Sequence, residues 1–207
     1  MSNLETLYVI AAPSGAGKTS LVNALIKAVN NIKVSISYTT RPIRPGEQNG
    51  EDYYFVTKPE FEEMVEKGSF LEYAKVYDNY YGTSREWVEQ QLRQDVDVIL
   101  EIDWQGAQQV RTLYPSSQSI FILPPSLQVL KARLHDRKQD SHEVINQRLA
   151  VAHREIAHYQ EFDYLVINQD FDTALRDLQT IMCANRLRQK RQAQKCAALL
   201  SELIKSE

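Results

Sequence analysis

At 207 residues, 43% hydrophobic and 25% charged, the chain has the composition of one globular domain, with room for small inserted subdomains rather than a second independent one. A formal net charge of −3 argues against nucleic acid as the main partner, because binding a phosphate backbone needs a broad basic surface; a local basic pocket stays open. The two cysteines, Cys183 and Cys196, make neither a disulfide framework nor a metal site, and no basic-then-apolar leader or apolar run of about 18 residues appears, so the expectation is a cytoplasmic protein without membrane contact.

Leu7-Tyr8-Val9-Ile10-Ala11 predicts a buried strand over 6–12, and Leu21, Val22, Leu25, Ile26 and Val29 recur at helical spacing over 18–29. Between them stands Ala12-Pro13-Ser14-Gly15-Ala16-Gly17-Lys18-Thr19, a phosphate cradle of the type G-x-x-x-x-G-K-[ST] with alanine for the first glycine. Gly15 and Gly17 let successive N–H groups face one anion, and the following helix adds the positive end of its dipole. Lys18 then reaches the outer phosphates of a nucleotide, and the Thr19 hydroxyl is placed to ligate magnesium.

Val34, Ile36 and Tyr38 alternate with polar residues and predict one short strand; Thr39 to Asn49, polar with two prolines, predicts a loop, and its arginines and hydroxyls make it a candidate site. Thr57 with Glu60 marks a helix start that Gly68 ends, Phe70 to Tyr77 predicts a strand, Asn79-Tyr80-Tyr81-Gly82 a turn, and Thr83 or Ser84 caps a helix to Leu92. Val96 to Asp103 predicts a second buried strand ending in acids, where a protein of this class holds magnesium through water. A helix over 105–113, a strand over 119–123 and a helix through Leu127, Leu130 and Leu134 follow, the last with Arg133 and Arg137 on one face. A polar break from His135 to Asp140 precedes a helix bearing Arg148, and two helices meeting at an arginine-bearing corner predict a lid. Asp163 to Asn168 is a last strand, and a long helix from Asp172 carries the basic tract 186–195 on its continuation as a solvated face. Apolar Leu199, Leu200, Leu203 and Ile204 beyond it suit either self-association into a homo-oligomer or packing back on the core.

Strands alternating with helices predict an α/β P-loop NTPase fold, a parallel sheet covered by helices on both faces. The expected division is a single domain with its core at 1–36, 86–134 and 149–207, an insertion at 37–85 and a small helical lid at 135–148.

With the cradle, the long segment from Thr39 to Phe55 (T-T-R-x-x-R-x-G-E-x-x-G-x-x-Y-x-F) and Asn79-Tyr80-Tyr81-Gly82-Thr83 together, the chain resembles the bacterial guanylate kinase family. The likeness runs from about residue 6 to beyond 185, and the middle segment is its most specific part because it has no generic structural role. The resemblance implies that ATP is held by Ala11, Ala12, Pro13, Ser14, Gly15, Ala16, Gly17, Lys18, Thr19 and Ser20, with Asn168 near the base, and that GMP is held by Ser37, Arg41, Arg44, Tyr53, Glu72, Tyr81, Gly82, Thr83 and Glu101. It further implies that Lys18, Arg41, Arg133, Arg137 and Arg148 serve the transferring phosphoryl group, that Thr19 and, through water, Asp103 hold Mg2+, and that dGMP is a further acceptor. Two departures stand out: the family often has aspartate where this chain has Glu101, and His135-Asp136 with Lys138 replace a smaller, glycine-containing lid sequence.

These assignments make chemical sense. Arg41, Arg44 and the two phenols can clamp a monophosphate, and Glu72 can accept from guanine N1–H and the 2-amino group, which adenine lacks. In-line transfer needs no general base, since the attacking phosphate, with a second pKa of about 6, is already ionised at neutral pH. Two rival readings remain: an AMP or UMP kinase, against which Glu72 and the arginine–tyrosine clamp speak, and a non-catalytic scaffold module, which typically lacks the cradle and lid arginines.

Overall fold

The computed structural model describes residues 5–76, 78–136 and 142–205. Its centre is a five-stranded parallel sheet formed by β1 (Leu7–Ala11), β2 (Ile32–Val34), β7 (Asp97–Glu101), β8 (Gln118–Leu123) and β9 (Tyr164–Ile167), in the order β2-β7-β1-β8-β9. β1 is buried along its whole length because side chains on both of its faces are covered. Tyr8 and Ile10 turn to one face, where they meet Leu21, Val22 and Leu25 of α1 (Lys18–Ala28) and Leu178 and Met182 of α7 (Phe171–Arg186). Leu7 and Val9 turn to the other, against Val88 and Leu92 of α3 (Arg85–Arg93) and Ala107 and Val110 of α4 (Trp104–Leu113). The predicted α/β architecture is therefore present, and β1 delivers the cradle at the C-terminal end of a central strand, where open parallel sheets place their ligands.

A second sheet, in the order β4-β3-β6-β5, is built from β3 (Tyr38–Thr39), β4 (Tyr54–Phe55), β5 (Phe70–Val76) and β6 (Asn79–Ser84). An aromatic cluster joins it to α2 (Lys58–Glu66): Phe61, fully buried, stacks on Phe70 at 4.5 Å and on Tyr80 at 5.5 Å, and Tyr38 stacks on Tyr54 at 4.7 Å. α2 begins as the Thr57/Glu60 pattern predicts, with both halves of the capping box formed.

Three expectations are corrected. The alternation over 34–38 is not one strand: β2 ends at Val34 in the main sheet, β3 starts at Tyr38 in the second, and the chain crosses between the sheets where its periodicity looked continuous. Asn79–Gly82 is not a turn but the first part of β6, antiparallel to β5 with Ala74 opposite Tyr81. Gly82 serves close packing there, since a Cβ would lie 2.9 Å from the Phe70 ring. Finally, α7 does not continue through the basic tract. It ends at Arg186, and α8 (Gln189–Lys195) and α9 (Ala197–Lys205) follow as separate helices. The physical cause is Asp97, wholly buried at the start of β7, which draws Arg186 (2.8 Å) and Arg191 (3.0 Å) inward, while Arg188 donates to Gln118 at 3.0 Å. Arg186 and Arg191 neutralise a buried acid rather than joining a solvated face, while Arg188 stays exposed. α9 leaves Leu199, Leu200, Leu203 and Ile204 exposed, so it does not fold back on the core.

α5 (Leu127–Asp136) and α6 (His142–Ala157) stand on either side of the expected lid corner, whose residues 137–141 lie outside the described residues, and Leu130 and Leu134 pack against Leu149 and Ala152. Arg137 and Lys138 lie outside the described residues. Among the described residues, no helix is long and apolar enough to cross a membrane.

Candidate active site

The loop from Ala12 to Gly17 must turn back on itself to bring its amides to one point, and Gly15 (φ +91°) and Gly17 (φ +95°) supply left-handed backbone for that turn. Both are also closely covered. A Cβ on Gly15 would meet Leu134 and Leu130 at 3.0–3.1 Å, and one on Gly17 would lie 2.4 Å from Nδ2 of Asn168. Asn168, buried at the end of β9, donates to the Ala16 carbonyl at 2.7 Å. Arg133 donates to the same carbonyl at 3.3 Å and to the Asn168 carbonyl at 3.0 Å. These two residues brace the loop from behind. Arg148 sits partly buried on α6.

One cavity of about 280 Å3 runs from the cradle to the second sheet. Ala12, Pro13, Ser14, Gly15, Gly17, Lys18 and Thr19 form its cradle wall, and Ser37, Tyr53, Glu72 and Tyr81 its far wall. Glu101, Asp103 and Glu155 complete it as acids. Lys18 Nζ donates to the Ile102 carbonyl at 3.3 Å, which places the ammonium across the mouth of the loop. Of the other cradle residues, Ala11 and Ala16 are buried beneath it and Ser20 is exposed on α1.

The two acids at the end of β7 differ in what they can do. Asp103 caps α4: one oxygen accepts from the Gly106 amide and the other from Gln105, each at 3.0 Å. Glu101 instead accepts from the Thr19 hydroxyl at 3.1 Å. An exposed hydroxyl with a carboxylate beside it is a hard-oxygen pair suited to Mg2+, which keeps most of its waters and takes substrate phosphates as further ligands. Among the described residues no cluster of three or more His, Cys, Asp or Glu could hold an ion without such help.

On the far wall, Glu72 is 4% exposed, and its Oε1 accepts from the Thr83 hydroxyl at 2.5 Å. Burial, helped by Asp103 and opposed by the Thr83 hydroxyl and Lys18, pushes its carboxyl up to about 7. Its Oε2 lies against Gly106 so closely that a Cβ there would approach to 2.4 Å. Tyr53 and Tyr81 meet edge to face at 5.9 Å, and burial, then Tyr81 and Glu101, raise the Tyr53 phenol above its usual range.

Arg41 is set beside these phenols, 5.3 Å over the Tyr53 ring and 5.6 Å over Phe55. Its fork is bidentate to Glu47, at 2.7 and 3.0 Å, and that carboxylate also accepts the Arg44 amide at 2.8 Å. The loop is thus wound round Glu47, with Arg41 partly buried and the Arg44 side chain exposed. Gly82 and Thr83 lie on β6 behind the wall, Thr83 reaching the cavity only through Glu72.

The structure therefore brings the cradle, Ser37, Tyr53, Glu72, Tyr81, Glu101 and Asp103 to one cavity, and places Asn168 and Arg133 as braces under the loop. Three residues escaped the sequence reading. Glu47 lies inside the Thr39–Phe55 motif, where an acid within six residues of two arginines is a signal for an ion pair. Gly106, a glycine in the first turn of a helix, was a visible signal of close approach. Glu155 gave no signal, being one acid among the polar positions of an amphipathic helix.

A phosphate cradle on the central strand of a parallel sheet, opening on a second sheet lined with a buried acid and paired phenols, defines a P-loop nucleotide-binding protein. Comparison with known proteins specifies it. Residues 4–185 match the family model described as guanylate kinase. A guanylate kinase of Coxiella burnetii is 54% identical over 205 residues, covering 99% of this chain and all of that one, and one of Escherichia coli K12 is 57% identical over 201, covering 96% and 97%. The crystal structure of guanylate kinase from Anaplasma phagocytophilum superposes with a TM-score of 0.76 at 32% identity, covering 92% of this chain and 91% of that one. The chain belongs to the guanylate kinase family.

Proposed function

We propose that the protein transfers the γ-phosphoryl group of ATP to GMP, reversibly giving ADP and GDP. The observation that carries this reading is Glu72, a desolvated carboxyl facing the same cavity as the cradle. Guanine N1–H and its 2-amino group are two donors that would hold such a carboxylate ionised, whereas adenine offers an unprotonated N1 and no amine. A buried acid left unpaired rejects the wrong base by about 10⁴-fold. Ser37 and Thr83 serve the carbonyl edge of guanine, Thr83 by holding Glu72. Arg41 and Arg44, with Tyr53 and Tyr81, take the GMP phosphate, and Glu47 holds the Arg41 fork in place until that phosphate arrives.

On the donor side, cradle amides and Lys18 take the ATP phosphates. Mg2+ held by these phosphates and Thr19, with Glu101 reaching it through water, would neutralise charge on the transferring group. Asp103, whose two oxygens serve α4, keeps the strand end in shape rather than reaching the ion. Asn168 and Arg133 act through the loop they brace, and Arg148 with Arg137 supplies positive charge from the lid. The GMP phosphate is its own nucleophile, so the protein's work is positioning and electrostatic stabilisation. Closure of the insertion and lid would exclude water and suppress ATP hydrolysis. Two unpaired cysteines, Cys183 exposed, fit the reducing cytoplasm expected from composition.

The test is coupled ADP formation with MgATP against GMP, dGMP, AMP, UMP and CMP at one concentration. Turnover with GMP, weaker with dGMP and absent with the other three, is expected. Equal use of AMP or UMP would remove the role given to Glu72.

A further inference from the structure

Glu155 stands in the cavity with no task in the reading above. It belongs to α6, whose Ala152 packs on Leu130 and Leu134, the same two leucines that cover Gly15. That shared apolar cluster holds the acid against the cradle. Its carboxyl faces the Ser14 amide, and its Oε2 is buried with no hydrogen-bond partner among the described residues. The charged groups bearing on it are Asp103 from the head of α4 and Lys18 from the head of α1. Glu72 and Glu101 are the other acids of the cavity wall. Burial, then Asp103, push the carboxyl up to about 7, and the Ser14 amide and Lys18 oppose this.

A carboxylate in this position competes with an incoming phosphate for the Ser14 amide and repels it. A carboxylic acid does neither: its O–H donates, and phosphate oxygens only accept. We propose that Glu155 is a positioning residue that takes one proton from solvent as the donor's polyphosphate enters the cradle, turning its carboxyl into an O–H donor to a phosphate oxygen. No bond to phosphorus changes in this step; carboxylate plus proton gives carboxylic acid. The inference rests on assigning the cradle to the donor.

Calorimetric titration of MgATP without acceptor, whose phosphates are already ionised at pH 8, in buffers of different ionisation enthalpy tests it on the unmodified protein. Close to one proton is taken up at pH 8. Glu155→Gln, which keeps an N–H donor but cannot titrate, takes up none. The ratio of its affinity to that of the unmodified protein rises about eightfold from pH 7.5 to 8.5. Glu72→Gln leaves the uptake in place. Binding without proton uptake, or uptake that survives in Glu155→Gln, overturns the proposal while leaving the cradle assignment standing. Absence of any MgATP binding by the unmodified protein overturns the cradle assignment, and the proposal falls with it.

Discussion

Under the proposed function, the two ends of the cavity recognise their ligands by different means. The donor end is made mostly of main chain: a loop between a buried strand and a helix, with two glycines in left-handed conformation and a lysine. The acceptor end is made of side chains brought from distant stretches, with Glu72 fixed by Thr83, Arg41 fixed by Glu47 and Tyr53 leaning on Tyr81. A phosphate asks only for charge and N–H groups, which any backbone supplies once it is correctly turned. A base must be told from its isosteres, and that takes buried polar atoms whose partners cannot be exchanged. The donor end is thus vulnerable to changes of backbone, the acceptor end to changes of single polar atoms.

Lys18→Ala strikes the donor end hardest. A loss of at least about 10³-fold in kcat is expected with the melting temperature unchanged, because in the fold Lys18 donates only weakly, to the Ile102 carbonyl among the described residues, and the proposed mechanism places its charge on the transition state. Near-normal turnover would remove the cradle from the mechanism. Next come two glycines that set the ends against each other. Gly17→Ala forces a side chain into Asn168 at an unfavourable φ and should raise KM for ATP, whereas Gly106→Ala pushes on Glu72 and should raise KM for GMP. Each change is expected to be about 10²-fold and confined to its own substrate, as a displacement near 1 Å allows. If both constants move together in both variants, the two ends are not separable.

A smaller effect is visible in stability alone. Glu72 has a carboxyl raised to about 7 when folded, from 4.5 in the unfolded chain, so folding favours its protonated form. That contribution is full below pH 4.5 and lost as pH rises through about 7. Glu72→Gln should therefore gain stability relative to the unmodified protein between pH 5 and 8, by on the order of 3 kcal/mol, with no gain below pH 4.5. Thermal melts across that range check the sign; a constant difference would mean that Glu72 stays ionised. The smallest effect belongs to Thr57→Ala, which removes the α2 cap and should cost about 1 kcal/mol of stability while leaving both KM values alone.

The sequence by itself determined the elements whose signals are local. β1, the cradle and α1 were legible because a strand buried on both faces, a glycine turn and an amphipathic helix each write a pattern within a few residues. The capping box at Thr57 was legible for the same reason. The proposed acceptor residues are legible through resemblance rather than pattern, since nothing local marks Glu72 or Tyr81 as more than a surface acid and a packed ring. What only the tertiary structure decided is which groups meet across long separations. The strand over 34–38 divided because two sheets compete for it, and the basic tract bent inward because Asp97, buried far earlier in the chain, needed its charge met. Thr19 found Glu101 while Asp103 turned to cap α4, and Glu155 came to rest against Ser14. Periodicity reports which face of an element is buried. Which polar group that face will confront depends on packing between elements, and no local pattern encodes it.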